Sequence, residues 1–400
     1  MVRAAVWICA GDMVQRWAQA MSDAAEAEHE LEADLARELA LDPFEEVEIA
    51  HEDAFYCEMY YADAAPGWRQ DRYPSSTERV MKRALVTGIT GQDGSYLAEL
   101  LLANGYDVHG LVRRGSTFNT ERIEHLLPRL ELHAGDVLDA HSVNRAVFLT
   151  QPQEVYHLAA PSHVAESFRT PRYALEVITT GTLSVLEAVR VLAPEARTYI
   201  ASTSEMFGDA APPQHEGTPF SPRSPYAAAK VAAHHLAGVY RDAYNLFVAR
   251  GILFNHESER RLPTFVTRKI TYGLARVKHG LQDVVRLGNV HARRDWGHAE
   301  DYVRAMWRML QHPNPADFVI GTGNTYSVLD FVRAVASRLD LDPAVVVAHD
   351  FRYDRPLEVE HLRADTAQAY RALGWEPRVT FDELVARMTD HDLALLRGAS

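Results

Sequence analysis

The sequence is poor in cysteine: its 400 residues contain only Cys9 and Cys57. Two thiols outside the motif-bearing region make neither a disulfide framework nor a CxxC metal site, so no metal is expected. Long apolar runs are missing too. No stretch of about 18 apolar residues occurs, so no helical membrane span is expected. The opening "MVRAAVWICAGDMVQRWAQ" lacks the basic start, apolar run and small-residue cleavage site of a signal peptide. A cytoplasmic protein is the simplest expectation. Bases are outnumbered, with 41 Lys and Arg against 55 Asp and Glu and a net charge of −14. The excess is local: residues 1–80 hold 18 acids and 6 bases, the remainder 37 and 35. So acidic a leader repels nucleic acid and anionic membrane, and neither is an expected partner.

What is present changes character near residue 80. In residues 20–41, Leu31, Leu35 and Leu39 recur every four positions in an Ala- and Glu-rich stretch, which predicts an amphipathic helix. "DAAPGWRQDRYPSSTERV" then gathers Pro, Gly and Ser as a linker does. The chain thus reads as an acidic, helical N-terminal extension with linker (1–80) and a main body (81–400). In the body, "RALVT", "DVHGLV", "LELHAG", "EVYHLA" and "RTYIAST" are strand-like runs. Helical stretches such as "SYLAELLLANG" and "TLSVLEAVRVL" separate them. This alternation predicts an α/β fold with a doubly wound parallel sheet covered on both faces.

"VTGITGQDGSYL" places Gly88, Gly91 and Gly94 between the first strand and its helix. Residues without Cβ let backbone N–H groups approach a pyrophosphate, whose charge the helix N-terminus also favours. An ordinary glycine-rich turn is the bland alternative, and the strand-to-helix position favours cofactor binding. The second strand ends at Arg113 and Arg114 rather than at an acid. Guanidinium groups suit the 2′-phosphate of NADP better than the bare ribose of NAD.

"SPYAAAK" sets Tyr226 and Lys230 four apart, on one face of a predicted helix. A nearby ammonium stabilises phenolate, which would make the tyrosine a usable base. Alone, the pattern is commonly a core Tyr beside a surface Lys. Here "STSE" precedes it at a strand end, which brings Thr203 and Glu205 to the carboxyl edge of the sheet.

From Met81 onward the chain resembles the extended short-chain dehydrogenase/reductases, and within them the GDP-mannose 4,6-dehydratases. "TGITGQDGSYLAE", "LVRRGSTFNTERIEHL", "ASTSEMFG", "TPFSPRSPYAAAK", "YNLFVARGILFNHESERR" and "RRDWGHAEDYVRAMWRMLQ" carry the likeness. It implies a Rossmann-type NADP domain, mainly 81–250, interleaved with a smaller C-terminal substrate domain, mainly 251–400. It implies conversion of GDP-mannose to GDP-4-dehydro-6-deoxy-mannose with tightly bound NADP. Tyr226 would be the first base and Glu205 the second acid/base. Thr203 would polarise the C4 oxygen, and Lys230 would tune Tyr226 and hold the nicotinamide ribose. Gln92, Asp93, Ser116, Leu158, Ala159, Ala160, Ser162, Tyr173, His256 and Arg261 would join Gly88, Gly91, Gly94, Arg113 and Arg114 along the cofactor. Asp136 and Val137 would lie beside the adenine. Ser162, Asn255, Lys269, Arg294, Arg355 and Glu358 would hold the nucleotide sugar. A homodimer or homotetramer is the implied assembly.

The chain departs from the family pattern at Pro161 (usually Gln), Glu259 (usually Pro) and Leu262 (usually Gly). A carboxylate at 259 is expected close to residues that handle phosphates. These departures leave open another nucleotide sugar, such as a GDP-heptose. An epimerase or reductase of the superfamily has no use for Glu205, and a retired dehydratase serving as a binding protein would not need the intact catalytic set. Ser204 before Glu205 argues against a dTDP-glucose-type enzyme, which normally carries Asp there.

Overall fold

Strand-forming runs and amphipathic stretches alternate through the body as the sequence predicts. The computed structural model describes residues 81–113, 115 and 119–398. The expected helix over 20–41, the linker, Arg114 and Ser116 lie outside those residues. β1 (Arg83–Thr87) passes through the glycine turn into α1 (Gln92–Ala103) and returns as β2 (Asp107–Val112). β3 (Leu130–Ala134), α2 (Ala140–Thr150) and β4 (Glu154–His157) follow. Three helical segments, α3 (Val164–Arg169), α4 (Pro171–Leu175) and α5 (Gly181–Leu192), lead to β5 (Arg197–Thr203). α6 (Pro225–Ala243) then crosses back to β6 (Val248–Leu253).

The C-terminal part is made of shorter pieces. They are β7 (Asn255–Glu257), α7 (Val266–Lys278), β8 (Val285–Leu287), β9 (Arg293–Arg294) and β10 (Trp296–His298). α8 (Ala299–Gln311) and β11 (Asp317–Ile320) follow, then β12 (Tyr326–Ser327), α9 (Val328–Arg338) and α10 (Pro343–Val346). β13 (Val347–His349), α11 (Ala367–Leu373) and α12 (Phe381–Gly398) complete it.

Seven strands make the main sheet in the order β11-β6-β5-β4-β1-β2-β3, every pair parallel. Both faces are covered, so the strands are apolar on both sides. In β1, Ala84 and Val86 pack with Leu97, Leu101, Tyr302 and Met306 on one face. Leu85 joins Val147, Val155 and Val189 on the other. A separate core of Ile270, Leu274, Trp296, Phe331, Val335 and Met388 supports the C-terminal pieces. The sheet order reverses between β1 and β4. At that reversal the connecting helices leave in opposite directions and open a crevice at the carboxyl ends of the strands.

Candidate active site at the carboxyl edge of the sheet

The glycine turn is fixed by close approach. Gly88 has φ 75°, and a Cβ there would lie 2.9 Å from the Ala159 backbone nitrogen. A Cβ on Gly94 would meet the Gly88 carbonyl oxygen at 2.3 Å, so α1 rests directly on the turn. Gly91 begins α1 and no side chain caps it. The first N–H groups of this helix are thereby left for an anion, and the residues present fit a dinucleotide pyrophosphate.

Gln92 and Asp93 are bonded to the chain after β6. Gln92 Nε2 donates to Asp93 Oδ1 at 3.0 Å and to the His256 carbonyl at 3.1 Å. Its Oε1 accepts from Ser258 Oγ at 2.8 Å. Asp93 Oδ2 lies 2.8 Å from His256 Nε2, while His256 Nδ1 meets the Phe254 carbonyl at 2.7 Å. The ring stacks on Tyr302 at 4.4 Å. Burial would raise Asp93, but the His256 charge wins and holds it below the usual carboxylate value. Burial would likewise lower His256, and Asp93 lifts it instead. Both ring nitrogens of His256 are engaged within the protein.

Other expected cofactor residues line the same edge. Arg113 follows β2, and its Nη1 donates to the Tyr173 hydroxyl at 2.7 Å. Asp136 and Val137 follow β3; Asp136 Oδ1 accepts from Leu138 N–H at 3.0 Å, and Val137 is buried. Leu158 and Ala159 continue β4, their N–H groups donating to Thr87 Oγ1 at 3.2 and 3.3 Å. Ala160 packs against a cluster that contains Tyr226, and Ser162 is exposed beyond it.

β5 ends at Thr203, and a short 3-10 turn carries the buried Glu205. Ser224 caps α6 by accepting from Ala227 N–H at 3.0 Å, and Pro225 sets the first helical position. Tyr226 and Lys230 then fall on the buried face of α6. Burial pushes the Tyr226 hydroxyl up to about 12; a hydrogen bond with Thr203 opposes the rise and the Glu205 charge adds to it. Lys230 Nζ donates to the Ala201 carbonyl at 2.6 Å, and burial brings it down to about 8. Desolvation is the largest influence on both groups.

Asn255 stands where β6 gives way to β7, and its buried Oδ1 has no hydrogen-bond partner within the protein. The buried Arg294 donates to Glu358 Oε1 at 3.1 Å and to the Val359 carbonyl at 2.6 Å. Arg355 Nη1 is 3.6 Å from both Glu358 Oε1 and Glu205 Oε1. Beside Arg355 and Glu358 opens a cavity of about 500 Å³, walled also by Asn289, His291, His349 and Asp354. Lys269 Nζ sits 3.0 Å from the centre of the Tyr353 ring, and burial lowers it to about 8. Sequence reasoning missed Tyr353; no period or motif marks it. Arg261 Nε is 3.0 Å from Glu257 Oε2, and its guanidinium covers Phe265 at 3.6 Å.

Glu259 Oε2 accepts from the Tyr96 hydroxyl at 2.9 Å and lies 3.3 Å from His298 Nε2. Burial would raise this carboxyl, but His298 and Tyr96 hold it down at about 2. Tyr96 belongs to α1, so the carboxylate ties that helix to β10.

A doubly wound sheet, a glycine turn at its reversal point and a Tyr–Lys helix beside it define an extended short-chain dehydrogenase/reductase. Solved structures bear the fold out. The UDP-glucose 4-epimerase of Thermus thermophilus, in complex with NAD, superposes with TM-score 0.69 at 29% identity, over 80% of this chain and 100% of that one. TunA, an NAD-dependent NDP-hexosamine 5,6-dehydratase of tunicamycin biosynthesis, gives 0.67 at 26%, over 78% and 97%. The profile of the GDP-mannose 4,6 dehydratase family matches residues 85–388. GDP-mannose 4,6 dehydratase 2 of Arabidopsis thaliana is 51% identical, over 79% of this chain and 88% of its own. The Vibrio cholerae GDP-mannose 4,6-dehydratase is 48% identical, over 78% and 94%. The chain belongs to the GDP-mannose 4,6-dehydratase family. It is therefore a hydro-lyase with a nicotinamide cofactor and a nucleotide-sugar substrate. No helix among the described residues is long and apolar enough to cross a membrane.

Proposed function

We propose that the protein converts GDP-mannose to GDP-4-dehydro-6-deoxy-mannose with NADP. The observation that carries the reading is the buried Glu205, two residues beyond Thr203 and close enough to raise the Tyr226 hydroxyl. A reductase or epimerase has no step for a carboxylate there, whereas a dehydratase must remove a carbon-bound proton. In this reading Tyr226 takes the proton of the sugar 4-hydroxyl, and Thr203 holds the C4 oxygen. A bound nicotinamide would supply the hydride acceptor for oxidation at C4 and the hydride donor for reduction at C6. The C4 ketone acidifies C5–H, Glu205 removes that proton, and water leaves from C6. Lys230 supplies charge beneath Tyr226 and a donor for the ribose. Arg294, Arg355 and Lys269 offset the diphosphate, while Asn255 donates to or accepts from the sugar nucleotide.

NADP is favoured over NAD by Arg113, whose guanidinium Tyr173 holds at the end of β2. A homodimer or homotetramer is part of the same reading; sedimentation of monomer alone overturns it. The test of function is incubation of the purified protein with GDP-mannose, a GDP-heptose, UDP-glucose and dTDP-glucose. A product lighter by one water should form from GDP-mannose. Water loss only from another sugar nucleotide, or none from any, overturns the assignment.

A further inference from the structure

We propose that Arg355 couples occupancy of the diphosphate site to the freedom of Glu205, so that substrate binding itself releases the catalytic carboxylate. The inference rests on the dehydratase reading above and concerns how that same site is regulated. Four charges are linked through Arg355 and Glu358, which line the cavity: Arg294, Arg355, Glu205 and Glu358. Two are positive and two negative, so the cluster is neutral before any substrate enters. Their bonding is unequal. Arg294 is buried and committed, with Glu358 Oε1 at 3.1 Å and the Val359 carbonyl at 2.6 Å. Arg355 is shared: it lies 3.6 Å from Glu358 and 3.6 Å from Glu205, and makes a close hydrogen bond with neither. Its side chain is 27% exposed, against 8% for Glu205. Arg355 is thus the more loosely held of the two arginines, and with Glu358 it lines the cavity.

A dianionic diphosphate needs cations that the resident carboxylates already hold. Arg294 is itself buried and holds both Glu358 and the Val359 carbonyl, so drawing it away is costly. Arg355 can turn outward at little cost, because its two contacts are long and its head is partly solvated. Its move to phosphate oxygens replaces two loose contacts by a charge-assisted, bidentate pair. Glu205 then loses its only cationic neighbour within 4 Å among the described residues. It is left facing the sugar when the substrate is in place, and stays engaged when the site is empty. By reciprocity, the carboxylate must weaken diphosphate binding by as much as the diphosphate frees the carboxylate.

The test is a double-mutant cycle on binding of GDP to the NADP-loaded enzyme, measured by calorimetry. Glu205→Gln should bind GDP roughly 3- to 10-fold more tightly than the unaltered protein. Arg355→Gln should bind it more weakly. In the Arg355→Gln background, Glu205→Gln should no longer improve binding. If the gain from Glu205→Gln persists undiminished without Arg355, the carboxylate acts only through the general field, and the proposal is overturned. It is also overturned if Glu205→Gln leaves GDP affinity unchanged. Arg355→Lys and thermal melting of each variant separate lost coupling from lost folding: the lysine variant should keep part of the coupling. Failure of the unaltered protein to bind GDP at all would instead strike the substrate reading.

Discussion

Asp93 and His256 are 163 residues apart in the chain, and their side chains meet at 2.8 Å. The contact joins the first turn of α1 to β7, the strand that opens the C-terminal part. Each partner is half-buried, and each is displaced in the direction that favours its charged form. Replacing one leaves the other with its charge poorly compensated. Asp93→Asn or His256→Gln should each cost about 1–3 kcal/mol of stability. Denaturant unfolding checks this, and the double variant should recover part of the loss. Equal stability of both single variants with the unaltered protein would remove the pair from the fold's supports.

Glu205→Gln should retain cofactor binding and still allow reduction of the bound nicotinamide, seen as its absorbance. Water loss should fall by ~10²–10⁴, because an amide removes no C5 proton. Tyr226→Phe should block the reduction as well. Dehydration by Glu205→Gln at the unaltered rate would contradict the assigned role.

Replacing Arg113 and Arg114 by uncharged residues should narrow the preference for NADP over NAD by about tenfold or more. Titration of both cofactors measures it. Equal affinity in the unaltered protein would show that another feature reads the ribose.

Acid should weaken the fold through two buried histidines. His157 lies between Thr87 Oγ1 at 2.8 Å and Thr182 Oγ1 at 3.2 Å, and burial brings it down to about 3. His234 bonds Ser202 Oγ at 2.8 Å, and burial with the nearby Arg250 brings it likewise to about 3. Both begin near 6.5 in the unfolded chain. Between those values the unfolded state binds more protons, so stability is complete above about 6.5 and is lost as pH falls toward 3. Each histidine should cost on the order of 2 kcal/mol by pH 5. His157→Asn should flatten the slope; an unchanged slope would place the acid sensitivity elsewhere.

The body from Met81 should be soluble and active without residues 1–80, since the family match begins at residue 85. We infer that the acidic segment is an appendage not needed for turnover. Turnover and melting temperature of the shortened protein decide this; an insoluble or inactive product would make the segment part of the working fold.

The elements nearest in sequence were the readable ones. Strand–helix alternation foretold the parallel sheet, and the order of glycine turn, Thr203–Glu205 and Tyr226–Lys230 foretold what gathers at its edge. Each signal spans a few residues and has a local period. The Asp93–His256 contact, Tyr353 beneath Lys269 and Arg355 beside Glu205 carry no such signal, because nothing periodic links segments so far apart. The partners of Glu259 were hidden for a related reason: its sequence neighbours are arginines, while its side chain meets Tyr96 and His298, which only the packing of α1 against β10 brings near. Likewise the spacing of Tyr226 to Lys230 is visible in sequence, whereas the extent of desolvation around Tyr226 is not.

The place of β11 in the main sheet bears on how this chain can be divided. After β6 the polypeptide leaves to build β7 through β10 and α7, then comes back to lie beside β6, with Asp317 opposite Arg250 and its carboxylate gripping that guanidinium. It then departs again to finish the C-terminal core. A cut after β6 would strip the sheet's edge and orphan a buried arginine on one fragment, while the other would carry a lone strand. The two halves are braided rather than strung, so neither can be exchanged between relatives as a cassette. Grafting a new sugar specificity onto this scaffold must therefore proceed by side-chain replacement within the intact chain.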